Sequence, residues 1–194
     1  MMHLNDIALH LASSLQISAD TITGRARKLR ESGLLTLGKQ GRYAGGVMTD
    51  RDGANLLLAS VIECPYGADV AGTVAHMRDL PFAQVIGRDD FADTLKFMRA
   101  ATFGEALDLL LADLRSDAWR FLIQDGAYPL HINMSIDTAN ADVMINLSRL
   151  RMMEGVAGWI YRVGPPHSAT VWRHVYLRGD VFRQLAEALG PPPA

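Results

Sequence analysis

The stretch Ile17–Gly46, ISADTITGRARKLRESGLLTLGKQGRYAGG, decides how the rest of the chain is read. Ser18 suits a helix N-cap, able to close on the free N–H of Asp20 or Thr21, and Asp20 lies favourably at the positive helix end. Ile22, Ala26 and Leu29 then recur at spacings of four and three, a narrow apolar stripe for one helix face. At about 100° per residue, Asp20, Gly24, Arg27, Lys28 and Glu31 point the opposite way, flanked by Thr21, Thr23 and Arg30. Gly33 supplies the C-terminal stop. Leu34, Leu35 and Leu37 form a short strand-like run, and residues 38–46, GKQGRYAGG, read as the tip of a β-hairpin. Glycines there permit close backbone approach, while Lys39 and Arg42 offer partners for phosphate.

From Thr21 to Gly46 there are six Lys/Arg against one acid, in a chain whose formal net charge is −2. A basic helix face is by itself an ordinary solvated surface. A basic helix followed at once by a basic, glycine-bearing hairpin is a more particular combination, suited to a helix in a DNA major groove with a wing on the backbone.

Upstream, Leu4, Ile7, Ala8, Leu11, Ala12 and Leu15 fall on one stripe and predict a helix over about 5–15. Gln16, Ile17 and Ser18 leave a three-residue connection, so the order is helix, turn, helix. Downstream, Thr49 with Asp50, Arg51 and Asp52 predicts a capped helix start. That helix continues through Ala54, Leu56, Leu57, Leu58 and Val61 and closes a small N-terminal domain, residues 1–63. Glu63-Cys64-Pro65-Tyr66-Gly67 marks a boundary by its Pro and Gly.

ADTITGRARKLRESGLL resembles the recognition helix and following strand of winged helix-turn-helix regulators, and GKQGRYAGGVMTDRDGANLLLA is similar to small winged-helix proteins often carried by prophages. The resemblance spans about residues 4–60, under a third of the chain. It implies a DNA-binding role. One departure is that many winged helices place a further helix before the pair, whereas here the pair comes almost first; the helix at 49–62 is expected to take its place in the core.

Residues 68–194 predict an α+β region. Helices are expected over 68–77, ending at Leu80-Pro81, over 89–98, and over 102–114, the last with Thr102 and Glu105 as a capping box. Short β-rich segments follow at 119–123, 131–136, 143–147, 156–163 and 170–177, and a helix returns at 180–189 before a Gly-Pro tail. The expected architecture is a winged helix-turn-helix followed by a small, mostly antiparallel sheet with helices on one side.

At 194 residues, 49% hydrophobic and 21% charged, the composition is that of an ordinary globular protein with room for one large or two small domains. No apolar run approaches the ~20 residues that span a bilayer, and the N-terminus lacks a leader pattern, so a cytoplasmic protein is expected. Residues 1–62 carry seven Lys/Arg against five Asp/Glu, and residues 63–194 twelve against sixteen. That asymmetry fits focused binding at one basic feature rather than a general coat of nucleic acid.

Catalytic and cofactor chemistry finds little support. The glycines of 38–46 precede no GK[ST] helix start, and paired-cysteine or HExxH metal spacings are missing. Cys64 is the single cysteine, which removes an internal disulfide, and its Pro-Tyr-Gly context is that of a turn. Asp125, Asp137 and Asp142 fit turn chemistry. His167 and His174 would face each other only if the last two strands form a hairpin. The same pairing would set Trp159 and Tyr161 opposite Trp172 and Tyr176, as core packing, a pocket or a dimer face. No enzyme, metal or cofactor is expected.

The sequence therefore predicts a sequence-specific, double-stranded-DNA-binding homodimer, a transcriptional regulator of phage or bacterial origin. Thr21, Thr23, Gly24, Arg27 and Lys28 are expected at base edges or the groove wall, and Arg30, Lys39 and Arg42 at phosphates. The C-terminal region would serve dimerisation or a protein partner. The alternative is a phage structural or DNA-packaging component, using the same unit for assembly or DNA recruitment.

Overall fold

The computed structural model describes residues 3–36, 48–62, 69–87, 96–115, 130–136, 141–148, 155–162 and 173–190. Within them the chain is α+β: six α-helices, one 3-10 turn and a five-stranded sheet. Helix α1 is Leu4–Leu15, α2 Ala19–Glu31, α3 Asp50–Val61, α4 Val70–Arg78, α5 Phe103–Leu114 and α6 Gly179–Leu189; Lys96–Arg99 is the 3-10 turn.

Local sequence chemistry caps the starts of α2, α3 and α5. Ser18 Oγ accepts the Thr21 N–H at 3.1 Å, and Thr49 Oγ1 accepts that of Asp52 at 3.1 Å. Thr102 Oγ1 accepts from Glu105 N at 3.2 Å, but Glu105 reaches back to Ala101 N (2.8 Å) rather than to Thr102, so the expected box closes one residue early. Gln16 ends α1 in the left-handed region (φ 55°), and the Ile17 N–H returns to Ala12 O at 3.1 Å, turning the chain into α2. Gly33, at φ +76°, occupies the position after α2 that only glycine takes without strain.

Helix α3 is the hub. Every residue from Asp52 to Ser60 is buried, and α1, α2, α4, α5 and α6 all pack on it. A helix covered on all sides needs apolar residues all round, which Ala54, Leu56, Leu57, Leu58 and Ala59 supply. Each of the three leucines contributes on the order of 2 kcal/mol. The sequence reading made this helix the last element of a small N-terminal domain. In the structure the segments on either side of residues 63–68 share one core, running from Ile7 on α1 to Leu189 on α6.

The strands are β1 Phe82–Gly87, β2 Leu130–Ile136, β3 Ala141–Ser148, β4 Gly155–Arg162 and β5 Arg173–Arg178, all paired antiparallel in the order β1-β4-β3-β2-β5. Ile132 lies opposite Ile145 on one side and Leu177 on the other, and Val143 opposite Tyr161; all five are buried, so this face joins the helical core. Tyr161 packs against Phe82 and Phe103, each with ring centroids 5.8 Å apart. Burial, and secondarily the Glu105 charge, push its hydroxyl pKa up.

Several expectations are corrected here. The last two strands do not pair: β5 sits beside β2, because the edges of β4 are taken by β1 and β3. Trp159 and Tyr161 therefore do not lie across from Tyr176, whose backbone partner is Asn133. Of the expected run Leu34, Leu35 and Leu37, the first two form a bend rather than a strand, since α3 side chains hold Leu34 O and Thr36 N, and Leu37 lies outside the described residues. Within the expected helix 89–98, the described residues from Lys96 onward form only the 3-10 turn. Strand β1 is an addition. The segment 119–123, Trp172, His167 and residues 38–46 with Lys39 and Arg42 lie outside the described residues.

One close approach gives a direct test. A Cβ on Gly104 of α5 would stand 2.7 Å from Arg78 Cβ and 2.9 Å from its Nε. Alanine normally stabilises a helix interior relative to glycine by about 1 kcal/mol. Here the stem of a buried side chain blocks it, so Gly104→Ala is expected to destabilise by about 1–3 kcal/mol in thermal melts.

Candidate nucleic-acid interface

Helix α2 buries Ile22, Ala26 and Leu29 and leaves the other side to solvent. Thr21, Thr23, Gly24, Arg27, Lys28 and Arg30 are all exposed. Thr21 Oγ1 lies 2.7 Å from Ser18 Oγ, so this hydroxyl also belongs to the helix cap. Gly24 has nothing within 4 Å of where a Cβ would stand, leaving an open notch on the outer face. Arg27 Nε donates to Glu31 Oε1 at 2.8 Å across one helical turn. That hydrogen bond first, and the Glu31 charge second, hold the Arg27 pKa above its ordinary value. Lys28 and Glu31 also border an open groove of about 360 Å³ against Asp69, Val70 and Ala71 at the start of α4.

The fourth cation of this helix behaves differently. Arg25 is half-buried and its Nη1 donates to Ala59 O (2.6 Å) and Ser60 O (2.8 Å). It covers carbonyls in the last turn of α3, the negative end of that helix, and pins α2 across it. Arg25 thus leaves the basic surface, and the described outer face of α2 carries Arg27, Lys28 and Arg30 with Asp20 and Glu31 among them.

Two residues that sequence reasoning missed hold the chain beyond α2. The buried Asp52 carboxylate accepts from Thr36 N (2.7 Å) and Thr36 Oγ1 (3.1 Å) through one oxygen. The other accepts from Thr49 N (2.9 Å) and Thr49 Oγ1 (2.7 Å). Thr36 precedes and Thr49 follows residues 37–47, so both ends of that segment meet at a single carboxylate beside α2. Asn55, fully buried, donates Nδ2 to Leu34 O at 2.5 Å. Its Oδ1 accepts from Arg78 Nη1 at 2.9 Å, and Arg78 forks onto Asp108 at 3.0 and 2.6 Å. For Asp52 the signal was its place three residues after the Thr49 cap, and for Asn55 an amide among Ala54, Leu56, Leu57 and Leu58. A buried polar group has to be hydrogen-bonded, but the sequence does not say to what.

The described residues hold no group of three His, Cys, Asp or Glu placed for a metal ion. Nor is any described helix long and apolar enough to cross a membrane. No protein-family model, characterised protein or solved structure matches the chain.

Proposed function

We propose that this chain is a sequence-specific, double-stranded-DNA-binding protein of the winged helix-turn-helix type, a transcriptional regulator of phage or bacterial origin. Helix α2 is the reading helix, with Thr21, Thr23, Gly24, Arg27 and Lys28 toward base edges or the groove wall. Arg30, Lys39 and Arg42 hold phosphates, residues 38–46 being the wing. The observation that carries this reading is the coincidence of two features. One is a helix, three-residue turn, helix unit whose second helix exposes every hydroxyl, glycine and cation assigned to contact on it. The other is a following segment tied at both ends to Asp52. A homodimer reading two half-sites would supply the discrimination that one small reading head lacks.

Selection of bound fragments from random duplex DNA, repeated at two salt concentrations, tests it. A preferred site should emerge. Arg27→Ala should cost about 1–3 kcal/mol on that site, whereas Lys39→Ala should weaken all sequences alike and reduce the salt slope by roughly 0.9. Equal, small effects of both substitutions without salt dependence would remove DNA from the account. The near balance of charge on the described face of α2 favours a second reading, a phage structural or packaging component that uses this face for assembly. Light scattering separates the two: a ring of many subunits supports assembly, and a dimer supports regulation.

A further inference from the structure

Arg27 and Glu31 form an ion pair on the outer face of α2, with side chains 81% and 61% exposed, and the atom that joins them matters. Glu31 takes the Nε–H of Arg27, at 2.8 Å, through Oε1. A guanidinium has five N–H donors in a rigid plane, and engaging Nε leaves the two terminal amino groups together at the far end as an end-on fork. That fork matches the O6 and N7 acceptors of guanine in the major groove, the commonest bidentate contact between an arginine and a base. Gly24, one turn before Arg27, leaves the helix surface bare where a base edge has to come close. Had Glu31 met the terminal amino groups instead, the fork would be blocked.

We infer that Glu31 is a positioning residue that presents Arg27 to a guanine, so that the preferred site of this protein holds a guanine read through the Arg27–Glu31 pair. The inference rests on the DNA reading above and sharpens it. Glu31 then has two effects of opposite sign. Its charge repels every duplex alike, while its hydrogen bond to Arg27 favours one base at one position.

The experiment compares the full-length parent with Glu31→Ala and Glu31→Gln on duplexes that differ only at the base whose preference is lost in Arg27→Ala. Circular dichroism confirms equal helix content, since Glu31 is exposed. In Glu31→Ala the preference for guanine over the other bases should fall roughly 5- to 10-fold, the loss expected when a bidentate contact loosens. Binding to unrelated duplex should rise at low salt in the same variant, because a repelling carboxylate has gone. Glu31→Gln keeps an oxygen acceptor for Nε–H without the charge, and should retain most of the preference while sharing the rise. If both variants tighten all sequences equally and the guanine preference is unchanged, Glu31 only repels, and the inference falls while the DNA reading stands. A parent that binds no duplex takes both away.

Discussion

Asp52→Ala should lower the stability of the folded chain by about 3 kcal/mol, a fall of roughly 6–12 °C in melting temperature for a protein of this size. The side chain is buried and receives four donors, two from Thr36 and two from Thr49. Alanine returns none of those bonds and strands two backbone N–H groups; because Thr36 and Thr49 are themselves exposed, water meets part of that demand and each unmet donor costs near the low end of about 1–3 kcal/mol. Asp52→Asn should fall between the two, since its amide oxygen serves one threonine while its amino group confronts the donors of the other. The same substitution should weaken duplex binding at temperatures well below the melt, although Asp52 is itself buried and cannot touch DNA. The reason is geometric: Thr36 and Thr49 are the two anchors of residues 37–47, and the carboxylate sets their separation. An Asp52→Ala protein that melts within about 1 °C of the parent would show that the threonines find other partners, and the clamp would have to be given up.

The second large effect belongs to Arg78. This side chain is 9% exposed and joins α4 to α5 through Asp108 and to α3 through Asn55. Arg78→Ala should destabilise by about 3 kcal/mol, the low end for breaking a buried pair, because the Asp108 side chain keeps 27% of its exposure and some hydration. Arg78→Met combined with Asp108→Leu should recover much of the loss, since the desolvation of both charges is then removed together. The local consequence is more informative than the melt. Asn55 would lose its partner at Oδ1 while its Nδ2 still holds Leu34 O. The Leu34 and Leu35 amides, which bond to Leu29 O at the end of α2, should then exchange with solvent faster than in a core variant of equal stability. Unchanged protection of those two amides would mean that the network is structural glue for α4 and α5 alone.

The difference between what was legible in the chain and what was not follows the range of the interactions. The apolar stripe of Ile22, Ala26 and Leu29 was legible because a helix repeats every 3.6 residues and the stripe lies within one element. Ser18, Thr49 and Thr102 could be read as caps because the bonds they make span three residues. Strand β1 was hidden because the register shifts between Phe82 and Gln84, and a bulge there erases the alternation that betrays a strand. The neighbours of β4 and β5 were misread because adjacency in sequence is only a tendency for adjacency in a sheet, and β1 competes for the same edge.

The helix, turn, helix unit, the side of α2 that faces inward, most strand positions and the α+β character could be read from the chain, because all of them depend on contacts a few residues apart. Packing between distant segments set α3 at the centre and turned Arg25 inward to its carbonyls. It alone brought Asp52, Asn55, Arg78 and Asp108 to the ends of the segments they hold. Apart from the local Thr49–Asp52 bonds, these bonds join residues 16 to 35 positions apart, and a side chain's partner at that distance is chosen by how the helices pack. A string of residue types specifies that a buried carboxylate must be satisfied; only the packed chain specifies by which donors.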